Sequence, residues 1–174
     1  MLFRSALFKG ITDGRNGNKP LLTDDQVTAA LKQLRDQASA KVSEENMKEG
    51  EAFLAANKTK DGVVTTASGL QYKILTAGTG AKPTKDDTVV CNYKGTFLDG
   101  KEFDSSYKRG QPAEFPVGHV IPGWTEALQM MPVGSKWQLV IPAELAYGSR
   151  GAGGTIGPNQ TLVFEVELIS IKGK

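Results

Sequence analysis

The stretch Val120–Gly134, V-I-P-G-W-T-E-A-L-Q-M-M-P-V-G, sets a Pro-Gly pair directly before a tryptophan and a short amphipathic run. Four apolar residues in it recur at the spacing of one helix face: Trp124, Ala127, Leu128 and Met131. Pro122 suits the first position of a helix, and Pro132 ends the run. The stretch therefore predicts a short helix, and it leaves open whether Trp124 is ordinary core or the floor of a pocket.

On both sides of this helix, apolar residues alternate with polar ones, as they do in half-buried strands. The alternating sets are Leu70, Tyr72 and Ile74; Val89, Cys91, Tyr93 and Phe97; Phe115 and Val117; Trp137, Leu139 and Ile141; and Leu162, Phe164, Val166 and Leu168. Asp99-Gly100 is a hairpin-turn signal. Residues 70–174 are therefore predicted to form an α+β domain, in which an antiparallel, curved sheet of five to six strands wraps on the one short helix.

A much longer helix is predicted upstream, over about residues 23–56. It opens with T-D-D-Q, Thr23 to Gln26, a capping-box pattern in which each end residue can bond the backbone of the other. Its apolar stripe is thin: Val27, Leu31, Leu34, Ala38 and Val42. Such a helix bridges two bodies, pairs with another chain or lies exposed along its own domain, and we favour the bridge. Residues 1–57 then form a partial N-terminal helical region, and residues 58–69 a linker.

Composition limits the functions open to the chain. Its 174 residues carry 21 basic and 19 acidic side chains, a net charge of +2 that argues against nucleic acid as the main partner. No apolar run approaches the roughly 18 residues that a membrane helix needs. Cys91 is the single cysteine and His119 the single histidine, so no internal disulfide is expected and a catalytic triad is weakly supported. The sequence predicts no metal and no cofactor.

One connection does not suit a simple meander of strands. Residues 142–160 hold five glycines between Gly148 and Gly157, and structureless connections this long are usually functional. No Gly-Lys-Ser/Thr follows, so a phosphate-binding loop is weakly supported. Tyr147 lies in this loop, where a large aromatic side chain has little core to join.

Four motifs in this order carry a family resemblance: N-Y-K-G-T-F-L-D-G-K-E-F-D-S-S, F-P-V-G-H-V-I-P-G-W-T-E-A-L, L-A-Y-G and T-L-V-F-E-V-E-L. From about Ser68 to Lys172 the chain resembles the FK506-binding-protein family of peptidyl-prolyl cis-trans isomerases. The T-D-D-Q helix resembles the connecting helix of the bacterial macrophage-infectivity-potentiator subtype, which carries an N-terminal dimerisation domain. The first helix of that domain is absent here, so a homodimer is expected where the domain is complete.

The resemblance implies a role for each matching residue. Trp124 would be the pocket floor under a proline ring, and the Ile121 backbone amide and Tyr147 hydroxyl would each hold a substrate carbonyl. Asp104 would act electrostatically near the twisting carbonyl, with Arg109 orienting it. Ile156 would close the pocket from the loop. The walls would be Tyr93, Phe103, Phe115, Val120, Ile121 and Phe164.

The implied partners are proline-containing unfolded or folding polypeptides and macrolides similar to FK506 and rapamycin. Ala152 and Ala113 stand where the best-known single-domain members carry a histidine and a phenylalanine, and His119 replaces an acidic residue. The pocket rim is therefore expected to be more open, which affects substrate preference and macrolide affinity. The resemblance implies a periplasmic or cell-envelope location if a signal peptide precedes this chain, and a cytoplasmic one otherwise.

Two other functions stay open on the residues alone. The same pocket would suit a module that binds proline peptides or macrolides with little turnover. A hydrolase built on Asp104, the neighbouring serines and His119 would depend on the histidine. An isomerase with a folding-helper role is the function that the sequence favours.

Overall fold

The computed structural model describes residue 10, residue 12 and residues 23–173. The long helix runs from Asp24 to Asn57 and has 34 residues. The predicted capping box is confirmed: the Thr23 N–H donates to Oε1 of Gln26 at 2.9 Å, and the Gln26 N–H donates to Oγ1 of Thr23 at 3.3 Å. Most of the predicted N-terminal helical region before Thr23 lies outside the described residues.

The predicted α+β architecture is confirmed, with one strand more than the upper expected count. The seven strands are β1 (Val63–Thr65), β2 (Gln71–Thr76), β3 (Thr88–Thr96), β4 (Glu102–Ser105), β5 (Ala113–Pro116), β6 (Lys136–Ile141) and β7 (Leu162–Ile171). Every pairing is antiparallel. The sheet order is β1-β2-β6-β7-β3-β4, and β5 also pairs with β3.

The extra strand falls in the segment 58–69 that the sequence predicts as a linker. Val63–Thr65 pairs with Gln71–Lys73 at the edge of the sheet. A second difference concerns Val117, which begins a turn of 3₁₀ helix, Val117–His119, instead of continuing β5. Val117 is nonetheless fully buried, so the apolar position was identified correctly although its conformation was not.

The short helix runs from Pro122 to Met130, close to the predicted bounds. Ala127, Leu128 and the following Met131 are at most 1% exposed and face the sheet in the main core cluster. The Met131 N–H donates to the carbonyls of Ala127 and Leu128, which closes the helix before Pro132. This helix presents its first turn, with Trp124, at the edge of the core.

The second half of the connecting helix belongs to the same compact unit as the sheet, because that unit begins at Lys41 and the other unit ends at Ala40. Nδ2 of Asn57 donates to Oε1 of Gln71 at 3.0 Å, and Nε2 of Gln71 donates to the Leu54 carbonyl at 2.9 Å. Within this unit the helix therefore packs on the sheet domain, and the bridge to a second body that the sequence favoured stays a prediction.

Candidate active site

Trp124 lies in the first turn of the short helix and is 4% exposed. Three aromatic rings meet it nearly edge-on. Their centroids lie 5.3 Å from the Trp124 ring for Tyr93 and Phe115 and 5.4 Å for Phe164. Such edge-to-face pairs hold an aromatic ring in a fixed orientation. Among the described residues, no acceptor meets the buried Trp124 indole N–H. The tryptophan is thus both core and the best candidate for a pocket floor.

Phe103 completes the aromatic wall through Phe164, with ring centroids 5.6 Å apart and planes at 89°. Gly95 on β3 makes this approach possible. A Cβ at Gly95 would lie 2.6 Å from the Phe103 ring and 2.8 Å from the Phe164 ring, closer than real contacts allow. The sequence analysis did not single out Gly95. Its position on an otherwise alternating strand was the available signal, since glycine inside a strand often marks a close approach.

A network of hydrogen bonds surrounds the Asp104 carboxylate on β4. Oδ2 accepts from the Tyr93 hydroxyl at 2.6 Å. Oδ1 accepts from Nη1 of Arg109 at 2.6 Å and from the Ser105 N–H at 2.8 Å. Nη2 of Arg109 also donates to the Tyr93 hydroxyl at 2.6 Å, and its guanidinium carbon lies 5.3 Å from the centre of the Tyr93 ring. The sequence analysis expected Arg109 beside Asp104 but gave Tyr93 only as a wall residue and did not predict its hydrogen bonds to both.

These contacts set the charges at the site. Burial by itself would raise the pKa of Asp104, but the hydrogen bonds from Tyr93 and Arg109 and the positive charge of Arg109 outweigh it and lower that pKa. Burial raises the pKa of Tyr93, and its hydrogen bond to Asp104 raises it further. At neutral pH Asp104 is therefore an ionised carboxylate and Tyr93 a neutral donor. An acid held ionised in this way is poorly suited to donate or remove protons.

Two donors at the rim have no internal acceptor within the part of the chain that the structure describes: the Ile121 backbone N–H and the Tyr147 hydroxyl. Tyr147 is 39% exposed. Its pKa is raised by burial first and then by the negative charge of Asp104. Both donors are thus available to a ligand carbonyl.

The remaining predicted residues belong to the same core cluster as Trp124 or pack against it, except His119. Val120 and Ile121 are half-buried and pack against the core cluster. Ile156 is 9% exposed and belongs to that cluster. Ala113 and Ala152 are half-buried beside it, consistent with an open rim. His119 is exposed, and among the described residues it makes no hydrogen bond to Asp104 or to a serine, so the hydrolase interpretation has no geometry behind it.

The fold thus brings together a buried tryptophan edged by three aromatic rings, two donors without an internal acceptor among the described residues, and a carboxylate fixed by three hydrogen bonds. The family model described as FKBP-type peptidyl-prolyl cis-trans isomerase matches residues 79–169. The model described as the domain amino terminal to FKBP-type peptidyl-prolyl isomerase matches residues 2–74.

Similar proteins agree with both matches. The Outer membrane protein MIP of Legionella longbeachae is 54% identical over 173 residues, which cover 95% of this chain and 74% of that protein. The FKBP-type 22 kDa peptidyl-prolyl cis-trans isomerase of Escherichia coli is 50% identical over 174 residues, which cover 98% of this chain and 84% of that protein. The crystal structure of FkpA from Escherichia coli superposes with a TM-score of 0.82 at 41% identity, covering 97% of this chain and 82% of that chain.

The chain belongs to the FKBP-type peptidyl-prolyl cis-trans isomerases, in the two-part subtype of Mip and FkpA. It is an enzyme that acts on proline-containing polypeptides. No helix in the described part of the chain is long and apolar enough to cross a membrane.

Proposed function

We propose that the pocket accelerates X-Pro rotation by stabilising the twisted amide without forming a covalent bond. The barrier of about 18–20 kcal/mol comes largely from amide resonance, which twisting removes. The planar amide carries more separated charge than the twisted one, so it loses more when it leaves water for an apolar site. A pocket of aromatic walls therefore favours the twisted form, which is differential binding of the transition state.

Each residue of the site supports one part of this mechanism. The proline ring rests on Trp124, between the edges of Tyr93, Phe115 and Phe164. The free Ile121 N–H and Tyr147 hydroxyl hold the carbonyls on either side of the proline. This fixes the flanking chain while the X-Pro bond turns.

The observation that carries the proposal is the state of Asp104. Its carboxylate accepts three hydrogen bonds, and its pKa is lowered. A carboxylate held in this way presents a fixed negative charge to the amide carbon as its carbonyl rotates out of conjugation. It acts through its field and takes up no proton, which is the form of catalysis in which preorganised charges lower a barrier.

The test compares kcat/KM for a short X-Pro peptide between the wild-type chain, Asp104→Asn and the control Asp61→Asn. Asp61 is exposed in the turn before β1. Asp104→Asn should lower kcat/KM about a hundredfold, the lower end of the range for loss of one preorganised electrostatic group. Asp61→Asn should change nothing. Equal activity of the three proteins would remove Asp104 from the mechanism, and tight peptide binding without rate enhancement would favour the binding-module alternative.

We also propose that two chains pair through the N-terminal region and hold client polypeptides near the pockets as a folding helper. Three apolar residues of the connecting helix support the pairing, because they are 40% to 59% exposed: Val27, Leu31 and Leu34. The match of the N-terminal family model over residues 2–74 adds to this support.

A cell-envelope location is our proposal for the compartment. It is supported by one relative that is named an outer membrane protein. Fractionation of cells that express the gene from its native locus tests this, and recovery with cytoplasmic proteins would contradict it.

A further inference from the structure

The glycine-rich loop that carries Tyr147 is bonded at its far end to the connecting helix. Nδ2 of Asn159 donates to Oγ of Ser43 at 2.7 Å. Nδ2 of Asn46 donates to the Pro158 carbonyl at 2.8 Å. Both bonds are partly buried, and their members are 112 and 116 residues apart in the chain. Two neighbouring loop residues are therefore held by one face of the helix.

Asn159 links that face to the start of the loop. Its φ is +52°, the one positive value outside glycine among the described residues. Asparagine tolerates this left-handed conformation better than most side chains. In that conformation its backbone N–H donates to the Gly148 carbonyl at 2.8 Å. The side chain of Asn159 thus bonds the helix, and its backbone bonds Gly148, the residue next to Tyr147.

The helix surface is fitted closely to the end of the loop. Gly50 is buried in the last third of the helix, and a Cβ there would overlap the Thr161 side chain. Glycine inside a helix costs about 1 kcal/mol relative to alanine, so its presence is best explained by this close approach. A Cβ at Gly157 would similarly lie 3.2 Å from Nδ2 of Asn46.

Between these ends, the loop closes on itself beside the pocket. The N–H groups of Ala152 and Ile156 each donate to the carbonyl of the other residue at 2.9 Å. Ile156 is buried in the same core cluster as Trp124. The loop is therefore held at two places: Ile156 packs in the core cluster, and Pro158 and Asn159 bond to the connecting helix.

We propose that Ser43, Asn46 and Asn159 are positioning residues that hold the loop so that the Tyr147 hydroxyl reaches the substrate carbonyl. The connecting helix in this way sets the activity of the isomerase site, although none of the three residues touches the substrate. The inference rests on the role proposed for Tyr147, and its test separates the two.

The first measurement is a double-mutant cycle on kcat and KM for an X-Pro peptide, made in the full chain. Asn159→Gly keeps the positive φ and loses the bond to Ser43; Ser43→Ala removes the same bond from the helix side. Each should lower kcat/KM about fivefold alone and change it less than about twofold in a Tyr147→Phe background, because coupled residues are non-additive. Lys48→Ala, which alters an exposed helix residue bonded to Glu44, is the control and should have no effect.

The second measurement does not depend on activity. Hydrogen exchange should become faster at the Ala152 and Ile156 amides in Asn159→Gly and stay unchanged in β3 and β7, since local and global opening are distinguishable. Equal losses of kcat/KM in both backgrounds, or unchanged exchange at Ala152 and Ile156, would overturn the inference. Full activity of Tyr147→Phe would overturn the role of the tyrosine, and the exchange rates would still decide whether the helix holds the loop.

Discussion

The Tyr93 hydroxyl donates a hydrogen bond of 2.6 Å to Oδ2 of Asp104. The two residues lie on neighbouring strands, β3 and β4, which pair through Gly95 and Asp104. The same tyrosine ring meets Trp124 edge-on at 5.3 Å. One side chain therefore links the aromatic floor to the charged rim, so the pocket and the carboxylate keep a fixed relation.

Tyr93→Phe tests that link. The ring contacts with Trp124 remain, but Asp104 loses a donor, so kcat/KM should fall about tenfold, equivalent to ~1.4 kcal/mol and near the lower end for a hydrogen bond to a charged group. Tyr107→Phe is the matched control, because its hydroxyl bonds Glu167 at 3.3 Å and the residue is exposed. A common kcat/KM for the two variants in a peptide assay would show that the Tyr93 hydroxyl has no catalytic part.

The lowered pKa of Asp104 predicts the pH dependence. A carboxyl whose pKa is lower in the folded state contributes stability that is present above its unfolded pKa, and this contribution is lost as pH falls through the folded pKa. The lowered pKa also keeps Asp104 ionised in the folded enzyme at every pH above it. If catalysis needs the carboxylate, kcat/KM should be flat from about pH 8 to about pH 5 and fall only below the usual aspartate pKa of about 4. The measurement is kcat/KM against pH.

Asp104→Asn should abolish that acidic fall and leave a low, flat profile, whereas His119→Ala should reproduce the wild-type profile. A wild-type midpoint between pH 5 and pH 7 that disappears in His119→Ala would contradict the account and restore the hydrolase alternative.

Replacing Trp124 and Tyr147 should separate stability from function. Trp124→Ala removes a 4% exposed ring from among three others, so it should lower the free energy of unfolding by about 3–5 kcal/mol and also weaken peptide binding. Tyr147→Phe removes a hydroxyl without an internal acceptor in the described chain, so it should lower kcat/KM and leave unfolding nearly unchanged. Urea unfolding measures the free energy of unfolding, peptide titration measures binding, and a peptide assay measures kcat/KM. A strong loss of stability in Tyr147→Phe would show that the hydroxyl is structural.

Pairing of chains is tested on the exposed stripe of the connecting helix. Leu31→Glu with Leu34→Glu should lower the mass by light scattering from two protomers to one, since both leucines are exposed and apolar. Lys32→Glu with Arg35→Glu is the control at neighbouring exposed positions. One-protomer mass in the unmodified protein would refute the pairing.

Much of the fold could be predicted because its elements have strong periods. The capping box at Thr23 fixed the start of the long helix, and the alternation through Val89, Cys91 and Tyr93 identified β3. Strand β1 was not predicted because a strand of three residues is too short to show a period, and two of its residues are exposed. Docking of the helix could not be predicted either, because Ser43 and Asn46 are polar residues in a polar run and their partners lie more than 100 positions away.

The candidate site was predicted mainly by resemblance. The aromatic residues alone indicate a core. The prediction that Trp124 is a pocket floor came from the matching motifs. The Tyr93–Asp104 bond depends on the register of β3 against β4, with its irregularity between Gly95 and Thr96. Side-chain pairing of this kind is decided by tertiary packing, which a local pattern of residues does not contain.

The most direct test of non-covalent catalysis is the rate of cis/trans exchange in an X-Pro peptide, measured by NMR with catalytic amounts of the full chain in water and in deuterium oxide. Since the mechanism breaks no bond and moves no proton, it predicts an acceleration of equal size in the two solvents. No acceleration, or an acceleration clearly smaller in deuterium oxide, would contradict it.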